Sequence, residues 1–107
     1  MMSAAELDRA VALLVRQVGH WQQPRWSAPA GGGNVSRADL VHKLVQELAN
    51  LAADAAGEPR REVPRLPSDL ALPDQLRVVA ADLALAAPPA PVLAVAVDAI
   101  TRTRTTL

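Results

Sequence analysis

The chain has no cysteine, no phenylalanine and no tyrosine. Without cysteine it can form no disulfide, offers no thiolate nucleophile and cannot build a cysteine-rich zinc site. Without Phe and Tyr, Trp21 and Trp26 are the only aromatic rings in 107 residues. An excess of either charge is also missing: 11 Lys and Arg balance 11 Asp and Glu. The balance holds in each half of the chain, so no whole-protein field draws in nucleic acid or an anionic membrane.

Long apolar runs are absent as well. The longest uncharged stretch, residues 83–97, is broken by Pro88, Pro89 and Pro91, and a bilayer span needs about 20 unbroken apolar residues. At the N-terminus Glu6 and Asp8 occupy the region where a signal peptide carries positive charge. A cytoplasmic protein is therefore expected, and no membrane partner. Ten of the 11 basic residues are Arg, a bias that suits a GC-rich bacterial genome.

What is present is Ala, Val and Leu in helical register. Ser3 and Glu6 stand in capping-box spacing, and Leu7, Val11, Leu14, Val18 and Trp21 follow at intervals of four and three, which predicts a helix over 4–19. Residues 20–35 lose this period, and Pro24, Pro29 and Gly31 to Gly33 read as a loop. Ser36 and Asp39 repeat the capping pattern before Val41, Leu44, Leu48, Leu51 and Ala55. That predicts a second helix over 36–56, ended by Gly57 and Pro59.

Residues 57–72 carry three prolines and clustered charge and should run extended over the surface, with one helical turn after Ser68. A third helix over 73–87 and a fourth over 91–104 complete the pattern. The short connection between them predicts an antiparallel hairpin. The expected fold is all-α: one helical domain over 1–107, with four helices in antiparallel hairpins joined by long Pro- and Gly-containing loops.

Chemistry-bearing motifs are scarce. No nucleophile elbow, Walker lysine or dinucleotide fingerprint is present. His20 and His42 have only Gln23 and Gln46 at ligand spacing, which argues against a metal site. Gly31 to Asn34 precedes a helix start and Arg37, where a phosphate could sit, but such a run reads first as a flexible linker. Arg61, Pro64 and Pro67 fit a proline-domain ligand pattern and read equally as a surface connection. The expectation is no enzyme, no cofactor, no metal and no small-molecule ligand.

Binding is left. The last two predicted helices are apolar nearly all round, with Val78 and Leu85 opposite the main stripe of the third. Surplus apolar surface calls for burial on a second face, against a protein partner or a second copy of the chain. Trp21, Arg25 and Trp26 form the other candidate surface, since Trp and Arg anchor interfaces. The competing expectation for the two rings is that a core poor in large side chains uses them internally. A small DNA-binding regulator is the alternative function, although the connections are too long or too proline-rich for a helix-turn-helix.

Overall fold

The structure is a computed structural model and describes residues 2–107. Among these residues it is all-helical: α1 (Ala4–Val18), α2 (Gln23–Ser27), α3 (Arg37–Ala56), a 3-10 turn (Asp69–Ala71), α4 (Leu72–Leu85) and α5 (Ala90–Thr106). Among the described residues no helix is long and apolar enough to cross a membrane.

The caps explain the boundaries of α3. Ser36 Oγ accepts the Asp39 N–H at 3.0 Å, satisfying one of the free donors of the first turn. At the other end Gly57 takes the left-handed conformation, φ 70°, so that the Glu58 N–H turns back to the Ala53 carbonyl at 2.9 Å. The capping box expected at Ser3 does not form. The Ser3 side chain makes no cap bond, and its carbonyl instead receives the N–H groups of Glu6 and Leu7.

Side-chain contacts set the helix directions. Gln17 near the end of α1 donates to the Arg104 carbonyl near the end of α5, so these two helices finish together. Arg37, at the start of α3, donates to the Leu107 main-chain oxygen at the same end. Arg65 joins Asp39 at the start of α3 to Asp69, just before α4. Thus α3 and α4 run one way, and α1 and α5 the other. Side-by-side packing joins α3 to α4, α4 to α1, α1 to α5 and α5 to α3.

This ring order leaves α1 and α3 on one diagonal and α4 and α5 on the other, which corrects the expected hairpin between the last two helices. A short connection keeps two helix ends close but does not oblige the helices to lie side by side. Ala87 sits at φ 49° before Pro88, ending α4 abruptly, and the main apolar stripe of α4 is already covered by α1 and α3.

One contiguous core fills the ring. It contains Leu7, Leu14, Val41, Leu44, Leu48, Leu76, Leu83 and Ile100, with the buried Ala38, Ala52, Ala80, Ala96 and Ala99 and both tryptophans. Among the described residues no polar or charged residue is buried. Hydrophobic burial therefore holds the helices together, at about 25 cal/mol for each Å² of apolar surface removed from water.

Candidate interaction surfaces

The connection from α1 to α3 is built around the two indoles. Gly19 follows α1 because a Cβ there would stand 2.7 Å from the Val15 carbonyl oxygen. Pro24 does not bar a helix here; it sits in the first turn of α2, where its missing N–H would have no partner anyway. α2 turns Trp26 inward, and the loop is then closed by Ala30 N–H to the Val35 carbonyl at 2.8 Å and Arg37 N–H to the Ala28 carbonyl at 2.9 Å. The glycine run is the tip of this closed pair. Gly31, at φ 55°, packs so near Thr106 that a Cβ would lie 3.3 Å from its carbonyl oxygen.

Trp26 is completely buried and Trp21 is 7% exposed. Their rings meet edge to face, with centroids 5.1 Å apart and planes at 69°, the arrangement favoured by the ring quadrupoles. The guanidinium carbons of Arg25 and Arg37 lie 5.7 and 5.3 Å from the centre of the Trp21 ring. Arg37 is held there by the Arg25 and Leu107 main-chain oxygens. Of the expected Trp21, Arg25 and Trp26 patch, only Arg25 is exposed. Both rings belong to the common core, the internal use expected of the two largest side chains in a chain of Ala, Val and Leu.

Arg25 and Arg37 meet over the Trp21 ring, and neither pairs with a side-chain carboxylate among the described residues, while Asp39 and Asp69 at the same end are held by Arg65.

The second connection is a strap that returns along α3. Gln46 grips its backbone in two places, donating from Nε2 to the Arg61 carbonyl at 3.0 Å and accepting the Val63 N–H at Oε1, 2.7 Å away. One turn earlier His42 Nε2 lies 3.1 Å from the Val63 carbonyl, and the ring is half-buried. Gln75 of α4 donates to the Pro64 carbonyl. The strap also carries ion pairs: Arg60 with Asp54, and Arg65 with both Asp39 and Asp69. The Arg65 guanidinium holds the Asp39 carboxyl below the usual carboxylate range, and Arg60 does the same for Asp54. Sequence reading missed His42 and Gln46 as a clasp. The available signal was a polar pair four residues apart, beside an apolar stripe and facing a connection too proline-rich to bond to itself.

Val78 and Leu85 stand on the outside of α4, 59% and 84% exposed. Leu85 borders a groove of about 580 Å³ between the strap and the ends of α3 and α4, floored by Ala49, Ala52, Ala53 and Val79. A second groove, of about 400 Å³, lies between α1 and α4. His20 is exposed, and no group of three or more His, Asp or Glu side chains converges as a metal site among the described residues. Comparison with protein-family models, curated proteins and solved structures found no match.

Proposed function

We propose that the chain is a non-catalytic interaction module of the bacterial cytoplasm, working by presenting the outer face of α4 to a protein partner or to a second copy of itself. One observation carries this reading: Val78 and Leu85, one heptad apart on the same face, stay in water although the bundle core is complete without them. Covering each would contribute about 1.5–3 kcal/mol, the scale of an interface anchor. The adjoining groove, floored mostly by alanine, offers a partner close approach to the backbone of α3.

The test is association measured by sedimentation, with the chain alone and with any captured protein, for the wild type and for Leu85→Asp. Circular dichroism establishes that the variant folds. Loss of association in a folded variant supports the reading, and association indifferent to both Val78→Asp and Leu85→Asp overturns it.

Arg25 and Arg37, side by side over the Trp21 ring and without a side-chain carboxylate partner among the described residues, favour a second reading, a small DNA-binding regulator. Binding of that kind weakens steeply with salt, and removing a phosphate-contacting Arg lowers the slope. A duplex that binds with such a slope, reduced in Arg25→Gln, would establish the regulator.

A further inference from the structure

The outer row of α1 reads Asp8, Ala12, Arg16, one residue every fourth position, all exposed. This row forms one wall of the groove between α1 and α4, with Val11 and Val15 beneath it and Arg77, Ala80 and Ala81 on the other side. Asp8 and Arg16 have opposite charges at the two ends of the row and a methyl group at its centre. They stand eight residues apart, about 12 Å along the helix, which is too far to pair with each other. Neither pairs with another charged side chain among the described residues. Across the groove Arg77 is already bonded to Asp74 of its own helix at 3.1 Å, so it does not neutralise Asp8.

We propose that this groove is the contact between two copies of the chain, related by a two-fold axis passing near Ala12. The proposal goes beyond the interaction reading above, since it assigns a different face, and it names the occupant. A two-fold axis makes a patch complementary to itself. Two α1 helices crossing antiparallel at Ala12 bring Asp8 to the partner's Arg16 and Arg16 to the partner's Asp8. A parallel arrangement would set like charges together and is disfavoured. Ala12, Ala80 and Ala81 let the helices approach closely, while Leu13 and Val78, beside Ala12 and Arg77 in sequence and both half exposed, add apolar area at the margin.

Charge reversal tests the geometry directly, because the two charges exchange roles only in such a dimer. The wild type, Asp8→Arg, Arg16→Asp and the double swap D8R/R16D are compared by sedimentation equilibrium up to roughly 100 µM, a range that detects dissociation constants of about 1 to 100 µM. The wild type should dimerise, each single swap should weaken the dimer about tenfold or more, and the double swap should restore it. Both substituted positions lie on the surface, and circular dichroism checks the folding of each variant. A wild type that is monomeric throughout overturns the proposal, as does a dimer that ignores all three variants. In the second case self-association through α4 would still stand if Leu85→Asp abolished it.

Discussion

Two long connections link the helices of this bundle, and they are held in opposite ways. Residues 19–36 follow α1, and their two rings enter the core, one completely buried. Residues 57–68 follow α3 and stay on the outside, clipped down by Gln46, His42 and exposed ion pairs. Composition gives little hint of the contrast, since both segments are rich in proline and charge or glycine. The deciding feature is whether the segment owns side chains large enough to repay ordering its backbone, which costs on the order of 1–2 kcal/mol per residue. The first segment has two indoles; the second relies on polar side chains of another helix.

The largest expected effect follows from removing an indole. Trp26→Ala should cost about 3–5 kcal/mol, as truncation of a large buried ring does, measured as a shift of the urea midpoint. The loss should be felt throughout the bundle, because the ring contacts the common core. A cost below about 1 kcal/mol would mean that the loop is peripheral like the strap.

Gln46→Ala should cost less, about 1 kcal/mol, since the freed Arg61 carbonyl and Val63 N–H can turn to water. Its signature is local. Hydrogen exchange should accelerate at residues 61–65 while the amides of Ala30 and Arg37, bonded across the first connection, keep their protection. Equal acceleration in both segments would erase the distinction between them.

Acid should have the smallest effect, confined to the strap. Arg65 lowers the Asp39 carboxyl below its ordinary value, so the folded state binds this proton less readily than the unfolded chain. The stabilisation is present above the unfolded value of about 3.9 and is lost as pH falls through the lower folded one. Both partners are well exposed, which keeps the contribution small and sensitive to salt. A fall in the protection factors of residues 61–69 below about pH 3.5, with no change between pH 5 and 7, is the expected pattern.

The apolar stripes were legible because helix geometry alone produces them. Leu7, Val11, Leu14, Val18 and Trp21 all lie inside, as do Val41, Leu44 and Leu48. The surface strap over residues 57–68 and the helical turn after Ser68 also follow from proline placement and a local hydroxyl cap. What the sequence could not show is relational. Pro24 reads as a breaker until the helix is seen to begin at Gln23. The four residues between α4 and α5 read as a hairpin until α1 and α3 are found covering α4. His42 and Gln46 look like surface polar residues until the strap is known to pass over them. Among the candidate site residues, the apolar exposure of Val78 and Leu85 was readable from their position opposite the stripe. The internal use of both indoles was readable from a core poor in large side chains, but the device that turns Trp26 inward was not: α2 is a helix of five residues, too short to register as a period.

The most direct test of the contrast is tryptophan fluorescence with acrylamide quenching, because Trp21 and Trp26 are the only emitters and no tyrosine interferes. Blue-shifted emission, poorly quenched until the protein unfolds, is the expected result and would establish residues 19–36 as part of the core. Red-shifted emission, quenched in the native protein as readily as in urea, would contradict it and return the two rings to the surface as a docking site.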